Sequence, residues 1–269
     1  MDSKYRIVSE EERQKYAPEM VGTGHNLLSD KEKFWVVKYK PATIDEEKRD
    51  YLAYLLGKGY ANIAEVLPLS TEELAEVKAL TQKDGNSMTQ NTFLVRLAGS
   101  YSPQELPCQT LEEAVAKELV FSVWIRRRDA HVDNRVYVSG IPIFFDHQTA
   151  FLGEPHLADI SAFFGATSDY GQAGRWRVRE LTQSLTLLCR GVNKTEMGSF
   201  HYVNNFEAFK ECLSAAASEL EDHLPENWRQ VVVNVGFTGD KSQPILDFLE
   251  KNLETIESDI GQMKKIIFQ

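Results

Sequence analysis

Long apolar runs are absent from this 269-residue sequence: none approaches the ~20 residues needed to cross a bilayer. The opening residues, MDSKYRIVSEEERQKY, lack the apolar core of a secretory signal, so no signal peptide is expected. Cysteine is scarce. Cys108, Cys189 and Cys212 are odd in number, far apart and form no CxxC pair, which argues against a disulfide framework and a zinc ribbon. A reduced, cytoplasmic protein with free thiols is expected. Basic charge is also in deficit, with 30 Lys and Arg against 40 Asp and Glu, a net charge of −10 and a pI of about 5.2. Direct nucleic-acid binding would need a basic face, and docking on anionic lipid would need one too, so neither is expected. No internal repeat or low-complexity segment is present.

What remains is ordinary globular material, 42% hydrophobic and 26% charged, enough for one large domain or two lobes. Residues 19–40 predict a β-hairpin, with EMVGTGHNLL and FWVVKYK as arms around SDKEK. Phe34–Val37 are all apolar or aromatic, as in a strand buried on both faces. TIDEEKRDYLAYLLGKG predicts a helix ended by Gly57 and Gly59. AEVLPL and TFLVRLAG predict strands. Between them STEELAEVKALTQKDG predicts a helix opened by a capping box of Ser70 and Glu73. A helix with Leu111, Val115, Leu119 and Val123 on one face starts after Thr110. Two short strands, RVYV and IPIFF, flank an SG turn, and beyond Pro155 most of the chain reads as helical. The last segment carries an apolar stripe of Leu249, Leu253, Ile256, Ile260, Met263 and Ile267, read as core packing, with Pro244 near its start. The fold class is therefore α+β: a strand-rich lobe over 1–100, a joint at Gly99–Pro103, and a helical lobe over 101–269, with a ligand cleft expected between them.

The chemistry concentrates in RRRDAHVDNRVYVSGIPIFFDHQTAF, Arg126–Phe151. Asp129, His131 and Asn134 share a short loop, and Asp146 follows Asn134 by twelve residues across the small hairpin. The hairpin returns the chain, so Asn134 and Asp146 converge, a pair of oxygen donors suited to a hard cation such as Mg²⁺. An upstream aspartate able to orient or deprotonate a hydroxyl completes the parts for phosphoryl transfer. Arg126–Arg128 read as a helix end favoured by the helix dipole.

The order Asp-x-His-x-x-Asn, hairpin, apolar-Asp resembles the HipA-like kinase domains within the phosphatidylinositol 3-/4-kinase-like branch of the protein-kinase-like fold. The resemblance extends to LAYLLG…AEV and LPENW. It implies a two-lobed kinase-like fold and an ATP- and Mg²⁺-dependent kinase, with a protein serine or threonine as first choice of acceptor. Asp129 would be the catalytic aspartate, and His131 would support the loop or contact the transferring phosphate. Asn134 and Asp146 would hold Mg²⁺. Lys38 would contact the α/β-phosphates, with Lys40 a competitor two residues on. Glu46, flanked by Asp45 and Glu47, would pair with Lys38. Gly22 and Gly24 in VGTGHN would let backbone amides approach the phosphates, and adenine would lie near Arg96–Tyr101.

The sequence departs from that pattern at two places. Ala130 stands where lipid kinases carry Arg, and His147 follows the metal-binding Asp where many kinases have Phe-Gly. These departures keep open a kinase-like, non-catalytic binding module. A third reading is a metal-dependent hydrolase, since Asp129-x-His131-x-Asp133 has alternating ligand types. It would need further histidines, and none of His147, His156, His201 and His223 is closely spaced with another.

Overall fold

A computed structural model describes residues 3–16, 26–38, 44–81, 92–127, 135–148, 150–151, 206–239 and 241–267. Outside them lie Gly22, Gly24, Lys40, Asp129, His131 and Asn134, and most of the helical expectation between Pro155 and Phe206.

The strand-rich part forms one antiparallel sheet. β1 (Arg6–Ile7), β2 (Leu27–Ser29), β3 (Phe34–Lys38), β4 (Val66–Pro68) and β5 (Phe93–Arg96) stand in the order β1-β2-β3-β5-β4. Lys38 pairs with Phe93 and Val36 with Val95. Trp35, Val36 and Val37 are all buried, so the central strand is covered on both faces as its uninterrupted apolar run implies. One face packs Trp35, Val37 and Leu94 against Val77 of α3 (Thr71–Thr81). On that helix the capping box forms: Ser70 Oγ accepts from Glu73 N at 3.2 Å, and Ser70 N donates to Glu73 Oε2 at 3.0 Å. α1 (Glu10–Tyr16) lies between β1 and β2 in the chain. The other face, with Val66, Phe93 and Val95, packs toward Tyr51 and Tyr54 of α2 (Ile44–Gly57) and toward the small hairpin.

That hairpin is β6 (Arg135–Val138) and β7 (Ile141–Phe144). Ser139 and Gly140 both have positive φ, 51° and 85°, as a two-residue hairpin turn of matching twist requires. The hairpin is docked by main-chain bonds: Phe144 N donates to Asn62 O and Ala64 N to Phe144 O, each at 2.8 Å. Asn62 is buried and completes the dock, its Nδ2 donating to Cys108 O and Pro142 O.

The rest is helical: α4 (Leu111–Trp124), α5 (Phe206–His223), α6 (Trp228–Val235) and α7 (Ser242–Ile267). Thr110 caps α4, its side chain accepting from Glu113 N. The sequence predicts an apolar stripe on α4, whereas every residue from Ala114 to Trp124 is buried, Lys117 and Glu118 included. The helix is covered all round and its two charges are inside. The stripe of α7 is core packing, with Leu249, Ile256 and Ile260 buried. Asn252 of α7 donates to Trp124 O at 2.7 Å, and Trp124 Nε1 donates to Leu249 O at 3.0 Å. Among the described residues, no helix is long and apolar enough to cross a membrane. The expected α+β class is the architecture observed.

Candidate active site

β3 and the loop after β7 end side by side, which brings together two residues singled out in sequence. Lys38 Nζ lies 3.9 Å from Asp146 Oδ2, and the ammonium sits 5.6 Å from the centroid of the Phe145 ring. Both side chains stay partly open to solvent, 23% and 30%, so an ammonium and a carboxylate face one accessible space. Lys38 reaches it because β3 pairs with β5 as far as Phe93. Asp146 reaches it because the chain leaves β7 with a φ of 66° at that residue, the left-handed region that a non-glycine residue rarely takes.

The three acids at the start of α2 divide their work. Asp45 is buried and accepts from Thr238 N at 3.1 Å and Thr238 Oγ1 at 2.6 Å, with the Lys241 ammonium on its other oxygen. Against the upward push of burial, Lys241 and Thr238 hold its carboxyl down at about 2. Glu46 acts on the charge of Arg49. Glu47 is half-buried, and burial pushes its carboxyl up to about 7. Among the described residues, Lys38 forms an ion pair with Asp146.

One turn beyond Glu46, a buried acid missed in sequence binds the loop directly. Asp50 Oδ1 accepts from the main-chain N of His147 at 2.9 Å. The His147 ring is fully buried, with Nδ1 3.7 Å from Asp50 Oδ1 and Nε2 3.4 Å from Glu118 Oε1. The same Glu118 oxygen accepts from Arg127 Nη1 at 2.5 Å and from Ser122 Oγ at 3.0 Å. Arg127 Nη2 then donates to Phe145 O at 2.6 Å. Burial pushes the Glu118 carboxyl up, but His147, Arg127 and Ser122 outweigh it and hold the group below the usual carboxylate range.

Arg126 and Arg127 therefore differ from the helix-end role read in sequence, since both guanidinium groups are buried. Arg126 reaches Asn252 and Asp259 of α7, and Arg127 reaches Glu118 and Phe145 O. A usable signal was Glu118 itself, a carboxylate inside the apolar run AVAKELVFSVW, because a buried charge needs a partner.

Near the expected adenine position, Arg96 lies over the Tyr101 ring, its Cζ 3.9 Å from the centroid, and pairs with Glu105 at 3.0 Å and Glu65 at 3.5 Å. The Tyr101 hydroxyl accepts from Glu65 N at 2.7 Å. Among the described residues, no group of three or more His, Cys, Asp or Glu is arranged to hold a metal. A nucleotide-borne Mg²⁺ needs less, since it keeps several waters and takes one or two protein carboxylates beside the phosphates. Asp146 fits that demand, as a part-exposed oxygen donor next to a lysine. His147 is enclosed, and His223 Nδ1 lies 2.9 Å from Glu219 O.

No family model matches the chain, and no curated protein sequence matches it. Among solved structures the chain is similar to the crystal structure of a Helicobacter pylori proinflammatory kinase, CtkA, at 10% identity and a TM-score of 0.46, covering 88% of this chain and 91% of that one.

Proposed function

We propose that this protein is an ATP- and Mg²⁺-dependent phosphotransferase with an alcohol acceptor, in first place a protein serine or threonine. The observation that carries the reading is the meeting of Lys38 and Asp146 at 3.9 Å, a cation for phosphate and an oxygen donor for metal, delivered by the sheet and by the hairpin loop. In this reading residues 1–100 form the nucleotide-binding lobe and 101–269 the helical one. The setting is cytoplasmic, in keeping with the free thiol of buried Cys108.

Lys38 binds the α/β-phosphate oxygens, and Gly22 and Gly24 offer main-chain N–H groups to the same phosphates. Asn134 and Asp146 hold the metal, which when bound offsets charge on the β- and γ-phosphates. Asp129 orients the acceptor hydroxyl and takes its proton as the new P–O bond forms and the bond to the β-phosphate oxygen breaks, with ADP leaving. His131 supports the Asp129 loop. Glu46 completes the surroundings of Lys38, and adenine lies near Arg96–Tyr101. Placing the reacting oxygen in line is most of the catalytic task, because the chemistry needs little covalent help from protein.

The test is transfer of the γ-phosphate of ATP to the protein itself or to a serine- or threonine-containing acceptor. Asp129→Ala and Asp146→Ala should each abolish transfer and leave the unfolding midpoint of the free protein in place. Nucleotide binding without any transfer would favour the non-catalytic binding module, consistent with Ala130 and His147.

A further inference from the structure

The peptide units on both sides of Asp146 are held by buried charged side chains. Ahead of it, Phe145 O accepts from Arg127; behind it, His147 N donates to Asp50. Next along, Gln148 O accepts from Arg49 and Ala150 N donates to His147 O. Such pinning has a physical purpose, because Asp146 has a φ of 66° and a non-glycine residue there is held only if its surroundings over-determine it. Released, the backbone would relax and the carboxylate would swing away from Lys38.

The pins are themselves fixed. Asp50 sits on α2, and α2 is tied to the loop between α6 and α7 through Asp45 on Thr238 and Lys241, and through Lys48 on Gly236 O. Arg127 is fixed by Glu118 of α4. The His147 ring fills the space between Asp50 and Glu118, edge-on to Phe121 at 6.3 Å. α2, through Asp50, and α4, through Glu118, thus both meet the ring of the residue that follows Asp146.

We infer that Asp50 and Arg127 are positioning residues for Asp146. They clamp the two peptide units flanking it, hold the left-handed turn, and aim the carboxylate at the phosphate-bound cation beside Lys38. α2 thereby reaches the site through the Asp50–His147 main-chain bond, in addition to any part played by Glu46. The inference rests on the phosphotransferase reading.

The experiment measures the Mg²⁺ concentration for half-maximal ATP binding by the full chain at fixed ATP, followed by thermal shift. Asp50→Ala removes the acceptor for His147 N, and Asp50→Asn keeps an oxygen there. Arg127→Lys keeps the charge on Glu118 but not the two-nitrogen reach to Phe145 O. Asp50→Ala and Arg127→Lys should raise the Mg²⁺ midpoint about tenfold or more, as loss of a partner behind a metal ligand does. Asp50→Asn should stay near wild type, and ATP binding in the presence of a chelator should be unchanged in all three. A merely structural role would lower the unfolding midpoint of the free protein without moving the Mg²⁺ midpoint. If Asp50→Ala does not fold, Arg127→Lys decides. Wild-type Mg²⁺ midpoints in the folded variants overturn the inference and leave the function standing. Failure of the wild-type protein to respond to ATP with Mg²⁺ overturns both.

Discussion

Two clusters of charge in this molecule do the same topological job in different surroundings. At the amino-terminal edge, Lys4 pairs with Glu73, Ser3 Oγ donates to Glu76 at 2.5 Å and Tyr5 N donates to Glu76 at 2.8 Å, joining the start of the chain to α3. Behind the candidate site, Asp50, Glu118, Arg127 and His147 join α2, α4 and the loop after β7. Lys4 and Glu73 are 50% and 22% exposed, whereas Arg127 and Glu118 are 1% and 5% exposed. Water screens the first cluster and is excluded from the second. The same kind of contact therefore has unequal consequences in the two places, and substitutions can measure the gap.

The largest effect should come from Glu118→Ala, which leaves the Arg127 guanidinium buried without its counter-charge. Loss of one partner of a buried pair costs about 3–5 kcal/mol, read by urea unfolding. Replacing both, Glu118→Leu with Arg127→Met, should recover much of that stability while still loosening Phe145 O, so that stability and Mg²⁺ response separate. Full recovery of Mg²⁺ response in the double variant would break the assigned role of Arg127.

An intermediate and pH-dependent effect is expected at Asp45. Its folded carboxyl is held at about 2 against an ordinary value of 3.8. A depressed acid contributes stability above its unfolded value, and that contribution is lost as pH falls toward the folded one. Asp45→Asn should therefore be less stable than wild type at neutral pH, and the difference should shrink from about pH 4 and vanish below about pH 2. Unfolding midpoints across that range check it, and a constant difference would contradict it. The smallest effect belongs to Lys4→Ala, under about 1 kcal/mol and weaker still in high salt. A cost equal to that of Glu118→Ala would erase the contrast between the clusters.

The order of strands and helices was legible because its signals are local: the apolar run of β3, the Ser70–Glu73 box, the SG turn and the stripe of α7. Lys38 and Asp146 were legible as residue types in a motif, and their meeting depends on sheet register and on the docking of the hairpin at Asn62. Arg126 and Arg127 were misread because a helix end and a buried pin carry the same residue in sequence; only their burial, and the reach of Arg127 to Phe145 O, distinguish the two. Asp50 was passed over because three acids precede it on α2, and which acid faces inward follows from how that helix packs, not from its own periodicity. The expectations for Gly22, Gly24, Asp129, His131 and Asn134 fall outside the described residues and stand on the motif alone.

The central claim, one site in which Lys38 and Asp146 face the same metal-bound triphosphate, is tested most directly by thermal titration of wild type and Asp146→Ala with ATP, with and without Mg²⁺. A ligand that binds only the folded state raises the unfolding midpoint, by about 2.7 kcal/mol of stabilisation at a hundred times its Kd. The expected result is a rise with ATP that Mg²⁺ enlarges in wild type and does not enlarge in Asp146→Ala. No rise in wild type, or the same Mg²⁺-dependent rise in both proteins, would contradict it.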